Sequence, residues 1–261
     1  MNNVNKTLYI PLYGKSFVSK KGVILHDSKA EEIWEKEAFP LKGKAKSKWL
    51  AYYMGMRSAV FDNWLKEKMS ALTDYTVLHL GCGMDSRIER LCYPACPWFD
   101  VDFEAVINER KKHFNETDYY RMLAADLIDE TWLEKVPVTQ NAIILLEGVC
   151  MYLDLAQLKG LLARLSARFP CVHILLDCYS PFAAKMSKIK NPINAVGVSK
   201  VYGIKSPTQL EENTGLTFLG EREMTPDYLI DELEKREKRV FKMLYAGKMA
   251  KSLYKLYEYE S

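Results

Sequence analysis

Four short apolar runs rich in β-forming residues alternate with helical segments from residue 76 onward, and this alternation constrains the fold most. The runs are TVLHL (76–80), WFDVDF (98–103), NAIILL (141–146) and VHILLD (172–177), and LTFLGER (216–222) is typical of a later strand. Apolar strands separated by helices of about 10–15 residues indicate βαβ units, which build a parallel sheet with helices on both faces. The sequence therefore predicts an α/β fold.

Two helix starts between these strands have the spacing of a capping box, in which two side chains three residues apart each bond the other residue's backbone. Ser86 with Glu89 follows the first strand, and Asp154 with Gln157 follows the third. Both pairs predict a helix soon after a strand, as βαβ units require.

Weaker signals describe the C-terminal third. Ser206 to Gln209, with Pro207 in the first helical position, predicts a helix start, and Gly215 predicts its stop. The segment from Pro226 to Tyr259 is predicted to be mostly helical because its apolar residues form a stripe. The segment 180–206 has no clear periodicity, and we predict a lid-like insert there.

The first 75 residues carry aromatic and charged residues in helix-like patterns and few strand-like runs. Apolar residues from Trp49 to Leu65 recur at steps of three and four, and Ile33 with Trp34 belongs to another amphipathic helix. We therefore predict two parts: residues 1–75 as an N-terminal helical extension that acts as a lid, and residues 76–261 as the α/β core.

Composition and charge exclude several classes of protein. The 261 residues are 48% hydrophobic and 27% charged, which is ordinary for a folded domain. A net charge of +3, with lysines spread along the chain, does not indicate a nucleic-acid partner. The longest apolar stretch, 142–153, contains Glu147 and is shorter than the ~20 residues of a membrane span. No secretory signal is recognisable, so we expect a cytoplasmic protein without a membrane partner.

The six cysteines are typical of reduced thiols. Several lie in apolar, strand-like runs, where a thiol behaves as a small hydrophobe. Cys92 and Cys96 are four residues apart, but no pair of histidines or cysteines completes a zinc-binding spacing. We expect free thiols and no metal site.

The turn after the first strand contains Gly81 and Gly83, and ligands of open α/β sheets bind beyond the carboxyl ends of the strands. A dinucleotide fingerprint requires a third glycine where Ser86 stands. Asp102 ends the second strand, where a carboxylate can accept hydrogen bonds from both hydroxyls of a ribose. Asp100 has the same chemistry and shares its face, so one of the two is expected to be structural. The pattern predicts a nucleoside site and favours Asp102.

Two more carboxylates follow later strands. Asp126, beside Leu127, is placed to accept a hydrogen bond from an exocyclic amine, although the same residue also fits a helix cap. Glu147 directly follows the run 141–146. A carboxylate there is costly unless it is paired or solvated, so we predict that it lies in a cleft, with Tyr152 lining the same cleft.

The segments that carry these residues resemble the leucine carboxyl methyltransferase family, which includes bacterial polyketide O-methyltransferases of the tetracenomycin type. The similar segments are VLHLGCGMDSRIERL, WFDVDFEAVINERK, LAADLID and AIILLEGVCMYLD, preceded by GKSFVSKKGVILHD and YYMGMRSAVFDNWL. The resemblance covers roughly residues 7 to 220. It implies a Rossmann-like class I methyltransferase sheet, mostly parallel with an antiparallel last strand, and S-adenosylmethionine as cofactor.

For the nucleoside end of the cofactor, the resemblance implies roles at positions that match the family's segments. Gly81 and Gly83 line the cofactor in the first turn, and Asp102 holds its ribose. Asp126 and Leu127 contact the adenine.

For the methionine end, the resemblance implies that Glu147 lies near the ammonium group. Arg57 binds the carboxylate, and Lys15 lies at the same end. Cys82 and Ser86 are mild departures from residues common in the family. The C-terminal third matches less clearly.

The expected reaction is in-line transfer of the methyl group from the sulfonium to an oxygen nucleophile. A carboxylate is already ionised at pH 7 and needs no general base, so alignment and exclusion of water suffice. No histidine stands beside a candidate nucleophile, which favours carboxylate over hydroxyl acceptors. We expect a small-molecule or polyketide-like carboxylic acid, or a protein C-terminus, aligned by Arg57, Tyr152 and Tyr179, with Tyr202 as a further candidate.

Two other classes of function stay open at this point. An inactive methyltransferase-like domain that serves as a binding module has the same cofactor residues. A nicotinamide-dependent dehydrogenase also uses an α/β fold, but the missing third glycine counts against it.

Overall fold

The computed structural model describes residues 5–37, 39–91, 96–190 and 201–261. The strands in these ranges are β1 Tyr75–Leu80, β2 Trp98–Asp102, β3 Tyr120–Ala124, β4 Asn141–Leu146, β5 Cys171–Tyr179, β6 Thr217–Arg222 and β7 Tyr254–Glu260. The helices are α1 Tyr9–Lys21, α2 Ser28–Glu37, α3 Lys48–Ala71, α4 Arg87–Arg90, α5 Glu104–Arg110, α6 Leu155–Arg168, α7 Pro181–Lys190, α8 Asp227–Ile230, α9 Lys235–Tyr245 and α10 Lys248–Leu253.

The strands form one sheet in the order β3-β2-β1-β4-β5-β7-β6. β1 pairs in parallel with both β2 and β4, and β4 pairs in parallel with β5. β7 is antiparallel to β5 and β6. This arrangement confirms the expected mostly parallel sheet with an antiparallel last strand. The strand order reverses between β1 and β4, and such a switch point opens a crevice at the carboxyl ends of the strands.

Helices cover both faces of the sheet, as the continuous apolar runs predicted. In β4, Ile143 and Leu145 pack with residues of α1 and α3, including Phe61. Their neighbours Ile144 and Leu146 point the other way and pack with the leucines of α6. Because alternate residues of a strand face opposite sides, a strand covered on both faces is apolar along most of its length.

The N-terminal extension packs closely on itself and on the core. At Gly14 of α1, a Cβ atom would lie 2.7 Å from Cβ of Met54 on α3, and at Gly55 it would lie 2.9 Å from both γ carbons of Val18. The missing side chains let α1 and α3 approach each other. Side chains of both helices belong to the same buried cluster as side chains of the sheet.

Helix α1 and strands β3 and β7 were not predicted. Most faces of α1 are buried, including Lys15 and Ser16, so it has no single apolar stripe. β3 is an edge strand that pairs with β2 alone and contains the exposed Arg121. The prediction that Pro226 to Tyr259 is mostly helical is wrong at its end, because the chain from Tyr254 lies between β5 and β6 and completes two ladders.

One of the predicted helix caps is also wrong. The Ser86 hydroxyl makes no cap bond and donates instead to the carboxylate of Asp27, 2.6 and 2.7 Å from its two oxygens. The capping box of Asp154 and Gln157 is confirmed. Near Ser206 the structure has a 3₁₀ turn, Pro207–Leu210, in place of a longer helix.

The predicted lid-like insert, 180–206, begins with α7, whose Pro181–Lys190 helix was not foreseen. Its positions 191–200, which include Asn191 and Pro192, lie outside the described residues. The movement of this insert and of the extension stays a prediction.

The five cysteines within the described ranges are unbridged, and Cys92 lies outside those ranges. In the part of the chain that the structure describes, no helix has the length and apolar character needed to cross a bilayer.

Candidate active site

A cavity of about 870 Å³ lies at the carboxyl ends of the parallel strands. Its volume is near the upper end of the ~300–1,000 Å³ usual for ligand pockets. The loops after β1, β2, β3 and β4 form one side, and helices α1, α3, α7, α9 and α10 form the other. The cavity therefore occupies the crevice that the switch in strand order predicts.

Ten sequence-predicted site residues line this one cavity. They are Lys15, Arg57, Gly81, Gly83, Asp102, Asp126, Leu127, Glu147, Tyr152 and Tyr179. Tyr202 is not among the described residues that line it.

The loop after β1 holds Asp102 by its backbone. Gly83 N donates to Oδ2 of Asp102 at 2.8 Å, and Phe103 N donates to Oδ1 at 2.7 Å. Gly83 and Gly81 have φ of 52° and 66°, in the left-handed region that favours glycine. Burial raises the pKa of Asp102, and the two backbone donors partly offset this effect. The carboxylate is thus fixed in direction at the cavity wall.

Replacing Gly81 with alanine is expected to distort this loop. The added Cβ would lie 2.3 Å from Cγ2 of Val149, in a backbone conformation that costs a non-glycine residue about 1–2 kcal/mol. We expect a stability loss of about 2–4 kcal/mol by urea unfolding, with weaker cofactor binding. Gly83→Ala is the matched control, because its Cβ would be 3.3 Å from Leu8 and would meet mainly the backbone penalty. Equal losses in the two variants would contradict the steric explanation.

Asp100 is the structural member of the aspartate pair. It is buried, pairs with Arg110 and accepts hydrogen bonds from Trp98 and Tyr120. Arg110 also donates to the carbonyl oxygen of Gly83 at 3.0 Å. Asp100 therefore anchors the residue that braces the glycine loop, while Asp102 faces the cavity.

Asp126 lies in a turn and not at the start of a helix, so the helix-cap prediction is wrong, and its contact with an adenine stays a prediction. Its Oδ1 accepts from Ile128 N at 3.1 Å, which is a local turn, and the residue is also exposed at the cavity wall. Leu127 beside it is buried. Arg164 of α6, which the sequence gave no reason to select, donates to the carbonyl of Leu127 at 3.0 Å and holds this loop in place.

Arg57 and Glu147 meet on the wall of the cavity. Arg57 Nε donates to Oε1 of Glu147 at 3.1 Å, and its Nη1 donates to the hydroxyl of Tyr254 at 3.0 Å. The guanidinium is thus held on two of its nitrogens at the cavity wall.

Glu147 is paired from two sides. Arg87 Nη2 lies 2.6 Å from its Oε2, and Ser58 donates to its Oε1 at 2.8 Å. Burial opposes ionisation of Glu147, but Arg87 and Arg57 outweigh it and lower its pKa to about 2. Glu147 is therefore a buried residue that borders the cleft, and its charge is already shared with two arginines.

Lys15 is also paired inside the cavity wall, with its Nζ 2.6 Å from Oδ2 of Asp85. The cations Arg87 and Lys15 hold the pKa of Asp85 well below its usual range, against the effect of burial. Sequence reasoning missed Asp85, although it stands two residues after Gly83. Its position in the glycine loop could have indicated it as a site residue.

Beyond Arg57 the cavity wall changes from charged to aromatic. We call Tyr53, Tyr152, Tyr179, Tyr245 and Tyr254 the tyrosine wall; all five line the cavity. Their ring contacts include Tyr179 with Tyr254 at 4.7 Å and Tyr53 with Tyr245 at 5.1 Å. None of the described lining residues from α7, α9 or α10 is charged. Of this wall, Tyr53, Tyr245 and Tyr254 were not predicted as site residues.

His79 also lines the cavity, but both of its ring nitrogens face charged partners. Nδ1 lies 3.2 Å from Asp100, and Nε2 lies 3.3 Å from Arg87. His79 is therefore a buried histidine with partners on both ring nitrogens.

The side chains of three residues lie close enough together to hold a metal ion, although the spacing of cysteines and histidines in the sequence did not predict this group. They are Glu37, Glu109 and His113. One ligand atom from each lies within 4.8 Å of the others. His113 Nε2 is 3.0 Å from Glu37, and this pair accounts for the arrangement without an ion.

Comparison with solved structures defines the class of fold. Magnesium protoporphyrin IX methyltransferase from Synechocystis aligns with a TM-score of 0.53 over 94% of this chain and 96% of that chain, at 12% identity. At this identity the likeness concerns the fold alone, which is that of class I methyltransferases.

Sequence comparison defines the family. The leucine carboxyl methyltransferase model matches residues 3–166, and the chain belongs to this family. Membership confirms the expected S-adenosylmethionine-dependent methyltransferase class and disfavours the dehydrogenase alternative.

Two curated relatives share part of the sequence. The tetracenomycin polyketide synthesis O-methyltransferase of Streptomyces glaucescens is 29% identical over 84% of this chain and 82% of its own length. An S-adenosyl-L-methionine-dependent methyltransferase of Gibberella zeae is 34% identical, over 36% of this chain and only 34% of its own length.

Proposed function

We propose that the protein transfers a methyl group from S-adenosylmethionine to a carboxylate of a small-molecule acid. The observation that best supports this proposal is the contrast between the two ends of the cavity. One end presents fixed carboxylates, glycines and a paired arginine, and the other presents tyrosines and apolar side chains. Similarity to a polyketide O-methyltransferase supports an acceptor of polyketide-like chemistry.

The residues at the charged end suit a nucleoside with an amino-acid tail. Asp102 would accept from the ribose hydroxyls, since its orientation is fixed by Gly83 and Phe103. Asp126 and Leu127 would border the adenine, and the backbone of Gly81 and Gly83 would run alongside the cofactor.

At the other end of the cofactor, Arg57 would bind the methionine carboxylate through its guanidinium group, with Lys15 close by. Glu147 would face the ammonium group, next to the arginines that keep it ionised. When bound, S-adenosylmethionine supplies an electrophilic methyl group on a sulfonium.

The tyrosine wall supports a carboxylate acceptor over a hydroxyl acceptor. Burial raises the pKa of Tyr53, Tyr152 and Tyr254, to about 12 for Tyr152, so these phenols stay neutral and act as hydrogen-bond donors at pH 7. A hydroxyl nucleophile needs a base, whereas a carboxylate is already ionised. Tyr152 and Tyr179 would orient the carboxylate, and the surrounding apolar side chains would exclude water.

Loss of the Asp102 carboxylate tests the cofactor site. In Asp102→Ala, two hydrogen bonds to a charged acceptor disappear, and we expect affinity for S-adenosylmethionine to fall about 10–100-fold. Calorimetric titration with S-adenosylmethionine and S-adenosylhomocysteine measures the change. The control is Asp118→Ala, which removes an exposed aspartate. Absence of binding to the unaltered protein would overturn the proposal.

The chemistry of the product tests the acceptor class. With a radiolabelled methyl donor and a panel of aromatic and aliphatic carboxylic acids, we expect product whose label is released as volatile methanol by alkali. Matched phenols and alcohols would give ethers, which keep their label under the same treatment. Alkali-stable label would contradict carboxyl methylation, and cofactor binding without transfer to any acceptor would favour the binding-module alternative.

A further inference from the structure

Asp177 is a buried carboxylate that was not predicted as a site residue and that has no role in the proposed function. It lies near the carboxyl end of β5 and has no exposed surface. Its Oδ1 accepts from Gly148 N at 2.8 Å, and its Oδ2 lies 3.3 Å from Nη1 of Arg57. Within the described residues Oδ2 has no hydrogen bond of acceptable geometry. Asp177 thus sits directly behind two residues of the cavity wall, Gly148 and Arg57.

The surrounding charges leave Asp177 undercompensated. Salt bridges connect a buried ion cluster of the described residues in which four cations face five carboxylates; its members are Lys15, Arg57, Arg87, Arg90, Asp27, Asp62, Asp85, Glu147 and Asp177. Glu147 has two arginines, whereas Asp177 shares Arg57 with Glu147. With all five carboxylates ionised, the cluster therefore carries one excess negative charge, and it lies next to the cavity.

The groups around Asp177 come from every element packed on it. Arg57 and Tyr53 approach from α3, Glu147 follows β4, and Tyr254 lies on β7. The remaining titratable neighbours are Cys150, Tyr152 and, on the same strand, Cys178. Arg57 is the single cation in this set.

We propose that Asp177 is the counter-charge by which the cavity distinguishes the sulfonium of S-adenosylmethionine from the thioether of S-adenosylhomocysteine. The inference rests on the proposed placement of the cofactor in this cavity. S-adenosylmethionine carries a net positive charge and S-adenosylhomocysteine carries none. A cation in the cavity stabilises ionised Asp177, so the donor binds more tightly than the product and the product leaves more readily.

The charge state of Asp177 links this preference to pH. Burial raises the pKa of Asp177 to about 6, although Arg57 opposes the shift. The ligand-free protein therefore keeps a proton on Asp177 to a higher pH than an ordinary aspartate does. S-adenosylmethionine and S-adenosylhomocysteine carry the same amino-acid tail, so the difference between them reports the sulfonium charge. Binding of a cationic ligand lowers this pKa further than binding of S-adenosylhomocysteine does, and it releases more protons to the buffer.

Calorimetric titration at pH 6 in buffers of different ionisation enthalpy counts the protons released on binding. Three ligands form a matched set: S-adenosylmethionine, S-adenosylhomocysteine and sinefungin, in which a protonated amine replaces the sulfonium. We expect release of several tenths of a proton with the two cationic ligands and less than a third of that amount with S-adenosylhomocysteine. Equal release by S-adenosylmethionine and S-adenosylhomocysteine would overturn the inference.

The variant Asp177→Asn tests whether Asp177 is the group that releases the proton on ligand binding. The amide oxygen can still accept from Gly148, but the charge is lost. We expect the difference in proton release between the ligands to disappear, and the preference for S-adenosylmethionine over S-adenosylhomocysteine at pH 8 to fall about tenfold. Asp231→Asn, an exposed substitution, should change neither quantity. An unchanged preference in Asp177→Asn would contradict the inference.

The outcomes separate this inference from the proposed function. Absence of binding by all three ligands would reject the cofactor site itself. Binding of all three with identical proton release would retain the cofactor site and reject the role of Asp177. The ligand comparison on the unaltered protein decides the question even where Asp177→Asn does not fold.

Discussion

Replacing Arg57 with methionine is expected to reduce affinity for S-adenosylmethionine about 10–100-fold and to destabilise the protein at pH 8 by about 3–5 kcal/mol. The first effect follows from loss of the guanidinium group at the cavity wall. The second follows because Glu147 keeps only Arg87, and Asp177 loses its one cation. Calorimetric titration and urea unfolding measure the two effects separately.

The loss of stability in Arg57→Met is expected to depend on pH. The pKa of Asp177 in the folded protein, about 6, already exceeds its ordinary value of 3.8, so its ionisation costs stability above pH 6. This cost disappears as the pH falls through 6 towards 4. Without Arg57 the pKa rises further, so the destabilisation is largest at pH 8 and smaller at pH 5.5.

A double variant separates binding from stability. Arg57→Met with Asp177→Asn removes the uncompensated charge, and we expect it to recover part of the stability at pH 8 without restoring cofactor binding. Arg236→Met, an exposed arginine of α9, controls for loss of an arginine as such. Unchanged affinity in Arg57→Met would contradict the assignment of Arg57 to the cofactor site.

Asp62→Ala is expected to lower the melting temperature by about 10 °C. Asp62 lies on α3 and accepts from Nε of Arg87 at 2.5 Å and Nε of Arg90 at 2.7 Å. Without the Asp62 carboxylate, the buried guanidinium groups of Arg87 and Arg90 each lose an ion-pair partner. The contact between the N-terminal extension and the α/β core is then weaker. Thermal unfolding followed by circular dichroism measures the effect.

The exposed pair of Lys238 and Asp231 supplies the matched control for Asp62. Its atoms are 2.8 Å apart, but Asp231 is 59% exposed, so Asp231→Ala should cost less than about 1 kcal/mol. A small shift in Asp62→Ala, similar to that of the surface variant, would show that the buried ion cluster does not hold the extension on the core.

Local patterns were sufficient for much of the sheet and for the charged end of the cavity. β1, β2, β4 and β5 were located because strands buried on both faces form nearly continuous apolar runs. Gly81, Gly83, Asp102 and Glu147 were found because they follow those strands directly. Ser86 shows the limit of a local rule. Its hydroxyl does not cap the helix but donates to the carboxylate of Asp27, which is 59 residues away in the sequence.

The sequence by itself determined the α/β class, the strands of the parallel core and the residues at their carboxyl ends, because periodicity and turn chemistry act over a few neighbouring positions. Only the tertiary structure decided how the charges pair and which side chains form the aromatic end of the cavity. Arg57 meets Glu147 across 90 residues and Tyr254 across 197, and the tyrosine wall collects side chains from α3, β5, β7 and two further segments. Such contacts depend on how whole elements pack, and burial then selects the partners, because an unpaired charge in the interior is too costly to keep.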